Sequence, residues 1–172
     1  AGVVLGRGVG NVIFNNVVRG HVGVATPGGD GIFVSTAARG NFIVSNRVIS
    51  NAKYGIRLRG ADVGNVVLGN RVFGRNIQGA GIRIENNTRH TVVSGNDVRS
   101  NVTGIVLEEA QTNIVASNSI TRNLGRGVRS GFSSSANRFV ANRVATNGGA
   151  GIESAQPLDE IVRNISWRNG GH

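Results

Sequence analysis

Glu85 and Glu108 stand 23 residues apart, and Arg59 precedes Glu85 by 26. Arg57, Arg83 and Arg129 keep company with them at comparable intervals. If such steps are the period of a coil, these side chains stack one above another. Two carboxylates held about 5–9 Å apart are what acid–base cleavage of a glycosidic bond requires. Guanidinium groups beside them grip carboxylate, sulfate or phosphate bidentately. Glu85 and Glu108 are therefore the candidate catalytic pair. Arg57, Arg59, Arg83 and Arg129 are the candidate binders of an anion. Tyr54, next to this set, either stacks on a sugar ring or covers the coil edge. The competing reading is that the arginines splay and pair with Glu85 and Glu108, with Arg59–Glu85 an ordinary surface ion pair of little energetic weight. Asp30 with His21 is a looser acid–base possibility.

Stacking demands a repeat, and the chain has one. Asn recurs every five residues in triplets that end on Gly followed by Ile or Val. The clearest copy is Asn41, Asn46, Asn51 and Gly55-Ile56; Asn113, Asn118, Asn123 and Gly127-Val128 match it. The middle Asn appears in all seven copies, as Asn16, Asn46, Asn70, Asn96, Asn118, Asn142 and Asn164. Thr91 and Asp159 replace the first Asn, and His21 and Arg75 replace the third. Two residues beyond the first Asn lies the column Ile13, Ile43, Val67, Val93, Val115, Phe139 and Ile161. Two beyond the middle Asn lies Val18, Val48, Val72, Val98, Ile120 and Val144, broken only by Ser166. The glycines Gly2, Gly31, Gly55, Gly81, Gly104, Gly127 and Gly151 advance by 29, 24, 26, 23, 23 and 24 residues.

Such short β-branched patches cannot bury a face singly. In register they form one continuous core column. The expected fold is all-β: a right-handed parallel β-helix of about seven coils, one domain over residues 1–172, with internal Asn ladders. The leucine spacing and helical segment of leucine-rich repeats are missing. The asparagines are expected at bends between strands, where Asn tolerates a left-handed backbone. Each amide should bond the Asn one coil away, about 4.8 Å distant. The Gly before each inward Ile should mark a tight turn or a positive φ. Alternation along the strand then sends Ile56 and Leu58 inward and Arg57 and Arg59 outward. The outward stripe reads Phe33, Arg57, Arg83, Val106, Arg129 and Glu153. A second reads Ser35, Arg59, Glu85, Glu108, Gly131 and Ala155. A third stripe, Arg47, Arg71, Asp97, Ser119 and Arg143, reads as a solvated face.

Composition excludes several classes. The chain carries 19 basic and 9 acidic residues, a net charge of +10, and every basic residue but Lys53 is Arg. Zero Cys removes disulfides and thiolate metal sites. No apolar run is long enough for a membrane-spanning helix. Dispersed acids and three separated His residues offer neither calcium nor zinc spacing. No metal and no cofactor are expected. Eight aromatics are too few to interleave with basic residues on a nucleic-acid platform, so no nucleic-acid partner is expected.

The pattern Asn-x-(Val/Ile)-x-x-Asn-x-(Val/Ile)-x-x-Asn…Gly-(Ile/Val) resembles the parallel β-helix repeat family of carbohydrate-active proteins, mannuronan epimerases and polysaccharide lyases among them. The resemblance covers essentially the whole chain. It implies an extracellular or periplasmic protein that binds or processes an acidic polysaccharide, alginate- or pectate-like. An activity of that kind would be that of an epimerase, lyase or glycoside hydrolase. The epimerase catalytic strand reads (Asp or Tyr)-Gly-Phe-Asp-Pro-His. Here Asp30-Gly31-Ile32-Phe33-Val34-Ser35 and Tyr54-Gly55-Ile56-Arg57-Leu58-Arg59 occupy that frame, with Phe33 or Arg57 at the acid and Ser35 or Arg59 at the His. The resemblance also implies that this sheet lines the sugar groove. The alternative is a structural solenoid: a stalk, adhesin or spike segment.

Gly2-Val3-Val4-Leu5 matches Gly55-Ile56-Arg57-Leu58. The chain is thus expected to open in the last strand of a coil and to be the C-terminal part of a longer protein. An open coil end invites edge-to-edge self-association. Trp167 is expected to cap the last coil, with a sugar platform as the other reading. Insertions at 20–30 and 76–80 break the rhythm.

Overall fold

The computed structural model describes residues 1–23, 28–61, 63–74 and 79–171. Arg75 and parts of both insertions lie outside the described residues. Among the described residues, twenty-one strands, β1 to β21 in chain order, form three parallel sheets of seven. The first sheet stacks β1 (Val3–Leu5), β4 (Ile32–Val34), β7 (Ile56–Arg59), β10 (Ala80–Glu85), β13 (Thr103–Glu108), β16 (Val128–Ser130) and β19 (Ile152–Ser154). The second stacks β2 (Val12–Phe14), β5 (Phe42–Val44), β8 (Val66–Leu68), β11 (Val92–Ser94), β14 (Ile114–Ala116), β17 (Arg138–Val140) and β20 (Glu160–Val162). The third stacks β3 (Val17–Arg19), β6 (Arg47–Ile49), β9 (Arg71–Phe73), β12 (Asp97–Arg99), β15 (Ser119–Thr121), β18 (Arg143–Ala145) and β21 (Ile165–Trp167). Each strand pairs with the strand three further along the chain, which is a right-handed parallel β-helix. No helix among the described residues is long and apolar enough to cross a membrane.

The core is the set of columns read from the sequence. Ile43, Val67, Val93, Val115 and Phe139 are fully buried, as are Val48, Val72, Val98, Ile120 and Val144. Parallel pairing holds them in line, for example Val67↔Val93↔Val115. The Asn ladders run in one direction. Asn118 donates from its backbone N–H and from its side-chain amide to Asn142 Oδ1, both at 3.0 Å. The same amide donates to the Val93 carbonyl at 2.9 Å. A buried rung of this kind satisfies groups that would be costly unpaired. His21 substitutes in kind, its Nδ1 lying 2.9 Å from Asn51 Oδ1.

Two local expectations need correction. The left-handed residue at the bend is the one before the ladder Asn: Ser45, Ser117 and Ala141 have φ of 54°, 54° and 53°. The Asn side chain is committed to its vertical partner, so the corner falls to its predecessor. The glycine column, moreover, is not a positive-φ column. A Cβ on Gly31 would lie 2.6 Å from the Gly55 carbonyl oxygen, and one on Gly55 2.6 Å from that of Gly81. Stacked backbones approach too closely there for any side chain.

Candidate anion-binding face of the first sheet

The outer row of the first sheet is Val4, Phe33, Arg57, Arg83, Val106, Arg129 and Glu153, in register from β1 to β19. Beside it Arg59, Glu85 and Glu108 stand on consecutive rungs. Both stripes are as the alternation predicts. Arg57 and Arg83 are therefore directly adjacent like charges, an unfavourable pairing by itself.

Glu85 relieves it. Arg57 Nε donates to Glu85 Oε1 at 2.7 Å, and Arg57 Nη2 donates to the same oxygen. Arg83 Nε donates to Glu85 Oε2. Arg57 Nη1 also reaches Asp30 Oδ2 at 3.4 Å. Glu108 lies 3.5 Å from Arg83 Nη2 and 3.8 Å from Arg129 Nη1. Arg59 Nε is 3.8 Å from Glu85. Exposure divides these groups. Arg57 and Glu85 are 6% and 4% exposed and Asp30 is fully buried. The side chains of Arg83, Glu108, Arg129 and Arg59 are 21%, 25%, 37% and 43% exposed, so these can reach a ligand.

Burial pushes the Glu85 carboxyl up, but hydrogen bonds from Arg83 and Arg57 outweigh it and hold the group below its ordinary range. Burial raises Asp30, and there the nearby Arg57 charge does not compensate. Glu85 and Glu108 do stack on adjacent rungs as the spacing implies. A general acid must hold a proton and face its substrate. Glu85 is buried and kept ionised, which suits it to fixing arginines. The Tyr54 ring has the Arg57 and Arg83 guanidinium carbons at 4.9 and 5.3 Å from its centre, so it covers the arginines. The Asp30 side chain serves Arg57 and the His21 ring serves the ladder.

The spacing of residues shows neither the pairing of Asp30 with Arg57 nor the place of Arg126 on this face. Asp30 is the deepest partner of Arg57. Arg126, 46% exposed, pairs with Glu153 and faces the same surface. Both belong to a column visible in the sequence: the residue just before each Gly, here Asp30, Tyr54, Ala80, Thr103 and Arg126. This column and the outer row bound an open groove of about 210 Å³, lined by Tyr54, Arg83, Thr103, Val106, Arg126 and Arg129.

The chain matches the family model described as right handed beta helix region over residues 30–169. It belongs to that family. No curated protein matches this right handed beta helix in sequence. Among solved structures it is similar to a double mutant of the periplasmic alginate epimerase AlgG, with a TM-score of 0.78 at 18% identity over 99% of this chain and 47% of that one. It is also similar to the Dettilon tailspike protein gp208, with a TM-score of 0.68 at 19% identity over 94% of this chain and 35% of the tailspike. A further similarity is to the A-module of the Azotobacter vinelandii mannuronan C-5 epimerase AlgE6, at 0.54 and 15% identity over 92% and 58%. At these identities the likeness is one of fold. The beta helix spans about half the length of the AlgG chain.

Proposed function

We propose that this β-helix is a segment of a longer extracellular or periplasmic protein and binds an acidic polysaccharide, alginate- or pectate-like, along the first sheet. The observation that carries the reading is the groove in which Arg83, Arg126 and Arg129 surround Val106 and the Thr103 hydroxyl. Arg83 and Arg129 hold Glu108 only at 3.5 and 3.8 Å, so a ligand carboxylate can replace it without dismantling the wall. Arg57 is removed from the contact set, because Asp30 and Glu85 occupy it below the surface. Its task is to position Arg83 through their shared carboxylate. Tyr54 stiffens the same corner. Similarity to epimerases of alginate and mannuronan supports the substrate class.

Retention on immobilised alginate and pectate in a salt gradient tests this. The wild-type chain should elute late, and Arg126→Ala and Arg129→Ala should elute at clearly lower salt with unchanged melting. A neutral polymer should retain none of them. Identical elution of the variants and the wild type would remove the groove from the account.

The second reading is a structural solenoid. Self-neutralisation of Arg57 by Asp30 and Glu85 favours it, since a wall that satisfies its own charges needs no ligand. Absence of retention on either polymer is its expected result. The edge strands β1, β2 and β3 each have one paired neighbour, which supports self-association there; sedimentation against concentration measures it.

A further inference from the structure

We propose a second glycan site, on the outer face of the third sheet, that takes a short run of carboxylate-bearing sugars. The outer rows there read Asp97, Ser119, Arg143, Ile165 and Arg99, Thr121, Ala145, Trp167 over the last four strands. The inward position of β21 is Ser166, in register with Val144, so Trp167 faces outward. Trp167 therefore does not cap the last coil. It forms a wall with Arg143, whose guanidinium carbon sits 4.7 Å from the ring centre. The opposite wall is Arg99, stacked 4.2 Å from the Phe73 ring centre. Between them the residues are small. Ser119, Thr121 and Ala145 leave an open hollow of about 380 Å³.

Three features define the occupant. Arg99, Arg122 and Arg143 face the hollow against one carboxylate, Asp97, which already lies 3.5 Å from Arg99. The site is thus cationic and suits carboxylates, which Arg holds bidentately. Among the described residues the Ser119 and Thr121 hydroxyls have no hydrogen-bond partner, and they line the floor where sugar hydroxyls would lie. Trp167 supplies an apolar surface with a polar handle at one end. The distance from β12 to β21 is three strand spacings, about 14 Å. That length admits linked rings rather than one. Single-stranded nucleic acid would need aromatics on successive rungs, and the hollow has Trp167 alone. None of these residues belongs to the first sheet, so the site stands or falls apart from the groove described above.

Trp167 is the only Trp in the chain, so its emission reports this face alone. Oligouronates cut from alginate and from pectate are titrated against the whole protein, with cello-oligosaccharides and oligothymidylate as controls. The expected result is a saturable emission change with the oligouronates only. Arg122→Ala should weaken it about tenfold, the loss of one charge-assisted contact. Thr121→Phe, which fills the floor from outside the core, should abolish calorimetric binding at this site with melting unchanged. Arg129→Ala, on the first sheet, should leave the Trp167 titration as it was. No saturable change, an equal response to cello-oligosaccharides, a response to oligothymidylate alone, or full binding by Thr121→Phe would each overturn the proposal.

Discussion

On the first sheet, outward residues of neighbouring strands hold one another: Arg57, Glu85 and Arg83 share hydrogen bonds across two adjacent strands, and Asp30 closes the set from below. On the second sheet, outward residues lie open. Val12, Phe14, Phe42, Leu68 and Ile114 are 36–62% exposed, with charge only at Arg138 and Glu160. Both sheets turn the same kind of Val and Ile column inward and are joined by the same ladders. The interior therefore specifies the coil, and the exterior is free to differ from sheet to sheet. Chemistry on this scaffold is decided by which outward rows carry groups that engage each other.

The largest expected effect tests that contrast directly. Glu85→Ala leaves Arg57 buried with Asp30 alone and should cost about 3–5 kcal/mol in urea unfolding. Leu68→Ala on the second sheet should cost about 0.5 kcal/mol or less, because its side chain is already largely in water. Similar losses at the two positions would erase the difference between the faces.

The ladder gives the next effect. Asn118→Ala strands the buried backbone N–H of Asn96, which donates to it at 2.9 Å, and leaves the Asn96 amide only its bonds to the Val67 and Ser94 carbonyls. A loss of at least about 1–3 kcal/mol is expected. Asn16→Ala removes an exposed terminal rung and should cost far less; equal costs would mean that the ladder is not what burial makes it.

Acid should expose the first sheet. The Glu85 carboxyl is held below its ordinary 4.5, so its contribution is full above that pH and is lost as pH falls through the folded value. Asp30 works in the opposite sense. Its carboxyl is raised above 3.8, so its charge costs stability at higher pH, and the cost is relieved as pH falls towards 3.8. Wild-type urea midpoints should decline below about pH 4.5, and Glu85→Gln should flatten that limb. A variant that keeps the full decline would assign it to other carboxylates.

The smallest effect belongs to the open face. Leu68→Lys should change stability by about 0.5 kcal/mol or less. It should lower the binding of a hydrophobic dye, since the exposed apolar row is interrupted at its middle.

Period and residue type made the interior legible. The Val and Ile columns, the ladder and the outward stripes could be read because each depends on one residue repeating at one offset. The pairing on the first sheet was harder to read. Glu85 bonds Arg57 one rung away and Arg83 on its own strand, and Asp30 reaches Arg57 across the coil. Such contacts depend on rotamers, which spacing does not encode. The pre-glycine column held the signal for Arg126 and Asp30, but its members differ in type, so no repeat announces it. Trp167 was misplaced for a related reason: the departures from pattern in the last coil suggest a lid, whereas the alternation around Ser166 puts the indole outside.

Each ladder amide gives one hydrogen to the Asn oxygen of the next coil and the other to a carbonyl of the coil before, while its own oxygen accepts from the Asn before, so the stack has a top and a bottom of unlike character. The 24-residue turn between Asn46 and Asn70 is consequently a module that carries its own plug and socket. A duplicate of that turn spliced in at its own boundary would lengthen the molecule by about 4.8 Å without disturbing the joints on either side. A splice one residue out of phase would point every aliphatic of the new turn at water.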